Sequence, residues 1–351
     1  MLETLKSIAS RLTVPLIVLC ALVLVYYLYQ IGMLKYTVKR CLIAIITLLV
    51  LITIIFVLVR LLPGDPFTSD KTNESIREKM LAYYGLDKPL IVQWFTYIKN
   101  LLHGDLGVSL KYPGRTVNST IAQTFPYSAG LGIRALVLAV TVGLFFGTIA
   151  SQHAGRTLDF VLVIVAVIGV SIPDFVIGTL LQLFFATKLR LLPATQWKSW
   201  KHRILPVFAL GLYTLAQMTR LMRSSMMEVI NQDYIMTARA KGLSKSEIIW
   251  RHEIRNSILP IVTVLGPLVA AVLTGTFVLE SIFAIPGMGK FYVNSINDLD
   301  YTMVLGMTAF YGMFLVAANL VVDIVYGLVD PRIKLAENKR KYSDMDDQEE
   351  D

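Results

Sequence analysis

Long apolar segments alternate with shorter polar ones along most of the chain. A membrane-crossing helix needs roughly 18 or more residues with few charges. Segments of this kind lie at 14–31, about 41–61, 128–150, 158–185, 205–222, 261–283 and 302–328. The pattern predicts an all-α integral membrane protein with six core spans and one extra N-terminal apolar helix.

The composition agrees with this pattern and narrows the function classes. Of the 351 residues, 55% are hydrophobic and 17% are charged, a balance that excludes a soluble domain. The net charge of +8 does not point to nucleic acid, because membrane proteins hold Lys and Arg at their cytoplasmic edges. The basic run 239–255 is bracketed by apolar segments and framed by no DNA-binding motif, so no nucleic-acid partner is expected.

The distribution of Lys and Arg sets the predicted orientation. Fifteen of them fall in segments assigned to the cytoplasm, namely 33–40, 151–157, 223–258 and 329–351. Six fall in the short outer loops 186–204 and 284–301, and five of these lie in the first loop, which weakens the assignment. The long region 62–127 is predicted to be extracytoplasmic, and its charge is not counted because long loops translocate largely regardless of charge. The six core spans then have both flanks in the cytoplasm.

The two ends of the chain are predicted to flank the core of six spans. Residues 1–32 form an extension whose apolar stretch reads as an uncleaved helix, because no small-x-small cleavage site follows it. A signal peptide and a functional start at Met33 are the alternatives. Residues 335–351 form an acidic tail poor in apolar side chains, which is predicted to be disordered.

A polar insert at residues 234–260 stands between two membrane-length segments and must lie at a membrane face. Gly242 is a candidate end for one short helix, and Ser244 is a candidate N-cap for the next, with Glu247 at the capping-box position. The small residues Ala238 and Ala240 would let another protein's backbone approach closely. We expect two short helices along the cytoplasmic surface that offer a projection to a soluble partner.

At these residues the chain resembles the permease subunits of bacterial binding-protein-dependent ABC importers. Their signature loop reads Glu-Ala-Ala, three residues, Gly and a downstream Ile-x-Leu-Pro. Here Met236-Thr237-Ala238 occupy the first three positions, so only the third matches, and Gly242 and Leu259-Pro260 follow. The string TARAKGLS and the longer spacing to Leu-Pro are similar to the dipeptide and oligopeptide branch. On composition alone, an ordinary basic cytoplasmic loop is an equal alternative.

Further strings extend the resemblance over most of the chain. They are RLLPGDP, YGLDKPL, LLHGDLGVS, ESIFAIPGMGKF and NLVVDIVYGLVDPRIK. The resemblance implies that residues 33–334 form the transmembrane domain of a peptide permease in the bacterial inner membrane. It implies as partners a second permease, two ABC ATPase subunits and an extracytoplasmic peptide-binding protein. It assigns the ATPase-coupling loop to 223–258, with contact residues Thr237, Ala238, Ala240, Gly242, Leu243, Ser244 and Ile248.

The sequence carries no motif for ATP, metal or covalent chemistry. The nearest approach to a phosphate loop is 284–291, but Ala284 and Phe291 replace its first Gly and its Ser/Thr. Cys20 and Cys41 lie in apolar segments, and the four His residues show no ligand spacing. The chain is therefore expected to bind no cofactor and to be a transport subunit rather than an enzyme.

Two acids within predicted spans, Asp174 and Glu280, are candidates for the translocation path, because intramembrane charges are costly and usually functional. An acid there would attract the terminal ammonium of a peptide. The alternative is that each caps a helix or pairs with a neighbour such as Arg134.

Three other functions are weighed against peptide import. A member of the same family could import nickel or another small solute. An ion-coupled secondary transporter would be expected to show internal repeats, and the sequence has no clear one. A membrane enzyme would need a nucleophile–base or metal constellation, which the sequence lacks.

Overall fold

The computed structural model describes residues 34–61, 82, 85–112, 114–273 and 277–329. The N-terminal extension 1–32 and the acidic tail 335–351 lie outside these residues, as do 62–81, 83, 84 and 113 of the region predicted to be extracytoplasmic. Residues 47–319 form one compact unit, and residues 34–46 and 320–329 are the described parts of a second. The described elements are helices, apart from one isolated antiparallel bridge between Val108 and Thr116.

The α-helices of the described residues are numbered in chain order. They are α1 (Leu34–Leu61), α2 (Leu90–Leu102), α3 (Val117–Gln152), α4 (Thr157–Ser171), α5 (Asp174–Leu181), α6 (Lys201–Ile230), α7 (Asp233–Ala240), α8 (Lys245–Ile248), α9 (Ile254–Ser257), α10 (Leu259–Leu273), α11 (Phe277–Ile282), α12 (Met288–Asn297) and α13 (Tyr301–Val329). Two π-helical turns, Gln182–Lys188 and Ile249–Glu253, continue α5 and α8.

Four of these helices, α1, α3, α6 and α13, are long and apolar enough to cross a membrane. Two bent pairs also qualify: α4 with α5, and α10 with α11. Counting each bent pair as one span gives six in the described part of the chain, which agrees with the six predicted core spans. The all-α membrane fold is confirmed.

The span predicted at 158–185 is broken near its middle. The helix ends at Ser171, and the next one leaves at an angle of 106°. Pro173 causes the break, because its ring clashes with a preceding helical turn and it has no N–H to donate. Ile172 before it is extended (φ −100°, ψ 127°), as the residue before a proline prefers.

The span predicted at 128–150 begins earlier in the structure, and Pro126 does not interrupt it. The proline lies inside α3, which begins at Val117 behind Thr116. The Thr116 hydroxyl accepts a hydrogen bond from the Ser119 N–H at 3.0 Å, which satisfies one of the free donors at the helix start. A local cap therefore sets the start of α3 rather than the proline.

The centre of the fold is a close crossing of α3 and α6. A Cβ placed on Gly143 would lie 2.6 Å from the Met218 Cβ, and one on Gly147 would lie 2.6 Å from the Thr219 carbonyl oxygen. Such a separation leaves no space for any side chain. α6 is accordingly the most enclosed of the four long helices, with 56% of its most apolar stretch buried, against at most 33% for the other three.

A second apolar cluster joins the ends of the helices on the predicted outer side. The amphipathic helix α2 packs its Tyr97, Ile98 and Leu101 against this cluster. The Trp94 indole N–H donates to the Thr53 hydroxyl of α1 at 3.1 Å. The cluster is built around Ile52, Leu106, Val117, Ile121, Met288, Met303, Met307 and Ala309.

Candidate functional site

The predicted cytoplasmic loop folds into two short helices joined by a tight turn. α7 ends in a Schellman motif, in which the Gly242 N–H donates to the Arg239 carbonyl at 3.0 Å and the Leu243 N–H donates to the Ala238 carbonyl at 3.3 Å. Gly242 has φ +80°, a left-handed conformation that only glycine adopts without cost. The predicted end of the first helix is confirmed.

The second helix begins with the predicted capping box. The Ser244 hydroxyl accepts from the Glu247 N–H at 3.3 Å, and the Glu247 carboxylate accepts from the Ser244 N–H at 3.3 Å. The Ser244 hydroxyl also donates to the Glu247 carboxylate at 3.1 Å. This bond, with that from the Ser244 N–H and a smaller contribution from the Arg251 charge, holds the pKa of the exposed Glu247 carboxyl below its usual range. The turn between the two helices is thus fixed at both ends by local hydrogen bonds.

A small apolar core holds the two helices together. Ile235, Ala238 and Ile248 are buried in it, and Leu243 is half-buried against it. The sequence placed Ala238 and Ile248 among the contact residues, but their side chains face the interior of the loop itself. Their position supports a role in shaping the projection, since their surfaces are covered by their own chain.

The outer surface of the loop carries the other predicted contact residues. Thr237, Ala240, Gly242 and Ser244 are exposed. Three large apolar side chains are exposed beside them on the same loop: Tyr234, Met236 at 58% and Trp250 at 70%. Sequence reasoning missed Trp250, although a tryptophan in an otherwise polar loop was a visible signal.

The loop returns to the membrane through the π-helical turn Ile249–Glu253, which ends on a buried acid. The Glu253 side chain is buried, and its carboxylate accepts from the Gln152 amide at the end of α3, at 2.6 Å. Burial raises the pKa of the Glu253 carboxyl, while the Gln152 bond and the Arg239 and Lys245 charges oppose the shift. The contact ties the loop directly to α3.

This raised pKa predicts a pH-dependent effect of Glu253→Gln. The folded loop retains the proton above the ordinary carboxyl pKa of about 4.3, where the unfolded chain has lost it. The stability from protonated Glu253 is therefore present below that pH and lost as pH rises through the folded pKa. Because glutamine can still accept from Gln152, the variant should raise the melting temperature of the purified protein at pH 8 and leave it unchanged near pH 4.

Glu228→Gln is the matched control, because Glu228 is an acid near the end of α6 that forms no part of this contact. It should leave the melting temperature unchanged at both pH values. A rise of equal size at pH 4 and pH 8 in Glu253→Gln would contradict the burial argument.

A partly buried ion pair joins α4 to α6 near the same end of the bundle. The Arg223 guanidinium donates from Nε to Asp159 Oδ1 at 2.6 Å and from its terminal nitrogen to Oδ2 at 2.7 Å. The Gly155 N–H donates to the same carboxylate at 2.9 Å. Such a two-pronged pair fixes the orientation of the two helices as well as their separation.

Glu280 is fully buried, at 0% exposure. Its Oε1 accepts from the Ser128 hydroxyl at 2.6 Å, and its Oε2 accepts from the Gly289 N–H at 2.9 Å. The carboxylate therefore caps the N-terminus of α12 and ties α11 to α3. This geometry supports the capping alternative for Glu280, and its role in the path stays a prediction.

Glycines leave the space for this carboxylate. A Cβ on Gly287 would overlap the Glu280 carboxyl carbon, and one on Gly289 would lie 2.9 Å from the Phe277 backbone and 3.0 Å from Glu280 Oε2. The segment Gly287-Met288-Gly289 thus leaves room for the buried carboxylate of Glu280. A phosphate loop uses glycines for a similar close approach of the backbone to an anion.

Asp174 lies at the first position of α5, directly after the bend. Its Oδ1 accepts from the Phe175 N–H at 2.8 Å. The proposed alternative partner Arg134 instead donates to the Gly130 carbonyl of its own helix. Among the described residues, neither Asp174 nor Glu280 forms an ion pair with Arg134.

The cap predicts that Glu280→Ala destabilises the assembled protein by about 3 kcal/mol or more. The truncation leaves the buried Ser128 hydroxyl and the Gly289 N–H without their acceptor. The melting temperature and the yield of folded protein should fall together. Ser281→Ala is the control, because Ser281 is the exposed neighbour of Glu280. A normal melting temperature with selective loss of peptide uptake would instead support the path role.

The chain matches known families and proteins over most of its length. Residues 139–335 match the family described as "Binding-protein-dependent transport system inner membrane component", and residues 33–132 match its N-terminal region. The chain is 48% identical over 304 residues to the dipeptide transport system permease protein of Bacillus subtilis (strain 168), which covers 86% of this chain and 99% of that protein. It is 42% identical over 305 residues, covering 86% of this chain, to the full-length oligopeptide transport system permease protein of Haemophilus influenzae. The corresponding Escherichia coli K12 protein is 41% identical over the same share of each chain.

Proposed function

Because the chain belongs to the family of binding-protein-dependent transport system inner membrane components, we propose that it is the permease subunit of an ATP-driven peptide importer. The relatives named as dipeptide and oligopeptide permeases support peptides as the substrate class. In the structure, the proposal rests on the capped two-helix projection at the end of α6, the most enclosed of the four long helices. The chain is a transport subunit and leaves ATP hydrolysis to other chains.

The proposed assembly contains four further kinds of contact. A second, similar permease would complete the membrane part, and two ABC ATPase subunits would dock at the cytoplasmic face. An extracytoplasmic peptide-binding protein would deliver the substrate, and lipid would cover the exposed apolar faces. The surface proposed for the ATPase is that of residues 233–258, centred on Gly242 and its exposed neighbours Met236, Ala240 and Trp250.

Three contacts would carry motion from this surface into the membrane. Only Asn231 and Gln232 separate α6 from α7, so the projection moves with α6. The Gln152–Glu253 bond attaches it to α3, and the Asp159–Arg223 pair attaches α4 to α6. Closure of the ATPases would therefore displace α3, α4 and α6 as one block. Such a rigid-body movement would switch a central path between outward-open and inward-open states.

Asp174 remains our proposed path residue, because it lies at the bend between α4 and α5 with part of its surface open. It would attract the ammonium end of a peptide. Uptake of peptides with a blocked amino terminus should then be indifferent to Asp174→Asn, while uptake of free peptides should fall.

The decisive experiment is to tag this chain, solubilise the membranes gently and identify the proteins that co-purify. Recovery of a second permease and an ATPase, with ATP-dependent peptide uptake after reconstitution, is the expected result. ATP-dependent uptake of nickel without peptide uptake would move the chain to the small-solute alternative. A chain that purifies alone and moves solute in vesicles without ATP would be an ion-coupled carrier, and the proposal would fail.

A further inference from the structure

The second half of α6 leaves one narrow face partly uncovered by the described part of the chain. Tyr213, Arg220 and Ser224 are exposed there, and Gln217 is half-buried. These four polar positions recur every three or four residues, which is the spacing of a single helix face. The exposed Ile204 and Phe208 near the start of α6 lie on roughly the opposite face, because successive residues turn by about 100°.

Lipid is an unfavourable environment for this polar face of α6. Polar side chains within a span are costly against hydrocarbon and normally face protein or water. The Gln217 amide donates to the Tyr213 hydroxyl at 2.7 Å. This single bond uses only part of the hydrogen-bonding capacity of the two side chains. The face therefore requires further polar partners from outside the described part of the chain.

A cavity of about 470 Å³ opens on this polar face. Its walls come from three spans, with Val163 of α4, Val264 of α10, and Gln217, Arg220, Arg223 and Ser224 of α6. The Arg223 guanidinium is occupied by Asp159. Arg220 forms no hydrogen bond or ion pair with the described residues. Since none of the described residues occupies it, its guanidinium can bind an anionic group in the cavity.

We propose that Tyr213, Gln217, Arg220 and Ser224 line the translocation path and bind the main chain and terminal carboxylate of a peptide in transit. This rests on the proposed function and assigns the substrate contacts of that function. From Tyr213 to Ser224 the helix rises about 16 Å, at 1.5 Å per residue. An extended peptide advances about 3.4 Å per residue, so the stripe spans about five residues.

The chemistry of the stripe suits peptides of varied sequence. Hydroxyl and amide groups can bond any peptide N–H or carbonyl, whatever side chain follows. Guanidinium binds carboxylate with two parallel hydrogen bonds, and every unmodified peptide has a carboxylate at its C-terminus. The stripe therefore recognises what all peptides share.

The first test measures whether water reaches the stripe. Gln217→Cys and Ser224→Cys are placed in a chain whose Cys20 and Cys41 are replaced by serine, and the intact complex in membranes is treated with a charged, impermeant thiol reagent. Both should react at least ten times faster than Val137→Cys and Phe145→Cys, which replace exposed apolar residues of α3. Equal, slow reaction at all four positions in every nucleotide state would overturn the proposal.

The second test uses the substrate itself. Arg220→Gln should reduce uptake of a free pentapeptide about tenfold and reduce uptake of the same peptide with an amidated C-terminus much less. Equal loss for both peptides, or no loss for either, would show that Arg220 serves packing or lipid headgroups and would overturn its role. Failure of the wild-type complex to take up any peptide would instead refute the proposed function, and the labelling pattern does not depend on that outcome.

Discussion

Replacing Gly242 with valine should reduce ATP-dependent peptide uptake more than tenfold while the spans stay folded. Gly242 has φ +80°, and a branched side chain there costs about 1–2 kcal/mol or more. No atom lies within 4 Å of an added Cβ, so the valine has no clash with the described part of its own chain. The strain is relieved by turning α8 against α7, which misplaces the surface proposed for the ATPase.

Two further variants separate the reasons for this effect. Gly242→Asn keeps the left-handed turn, which asparagine tolerates, but adds a side chain at the surface. Gly114→Val is the matched control, because Gly114 has φ +79° and no described atom within 4 Å, in the predicted extracytoplasmic region. It should leave ATPase co-purification intact. Coupled uptake at the wild-type rate in Gly242→Val, with ATPase activity measured alongside, would refute the coupling role of this turn.

Gly147→Ala should destabilise the membrane domain severely, by about 3 kcal/mol or more. The added methyl group would lie 2.6 Å from both the Thr219 carbonyl oxygen and the Met222 Cβ, which α6 can relieve only by moving its backbone. Overpacking of this kind costs about 1–3 kcal/mol even where side chains can give way. The gain of about 1 kcal/mol in helix propensity does not offset it.

The measurement is the melting temperature and yield of the detergent-solubilised protein. Gly130→Ala on the same helix is the control, because its Cβ would meet only the flexible Arg134 guanidinium at 3.0 Å. The control should be neutral or slightly stabilising. Equal losses in the two variants would mean that α3 and α6 do not cross in tight contact at Gly147.

The local signals of the sequence predicted much of the fold. Apolar length predicted the spans because a helix must satisfy its own backbone hydrogen bonds in lipid. Gly242 and Ser244 predicted the ends of two short helices because Schellman turns and capping boxes are made by residues near in sequence. The resemblance at these residues predicted the family, and the match over residues 139–335 confirms it.

Only the tertiary structure decided which way the side chains face. Glu280 was predicted either to face a path or to cap a helix. The hydrogen bonds from Ser128, 152 residues away, and from the Gly289 N–H support the cap, and the path role stays a prediction. Arg223 was included among the predicted cytoplasmic charges. In the structure its guanidinium pairs with Asp159, 64 residues away. Ala238 was predicted to lie on the contact surface, and the structure buries its side chain within its own loop. Hydrophobic length and capping are set by neighbours in sequence, whereas burial and ion pairing depend on chain segments that meet only after the helices pack.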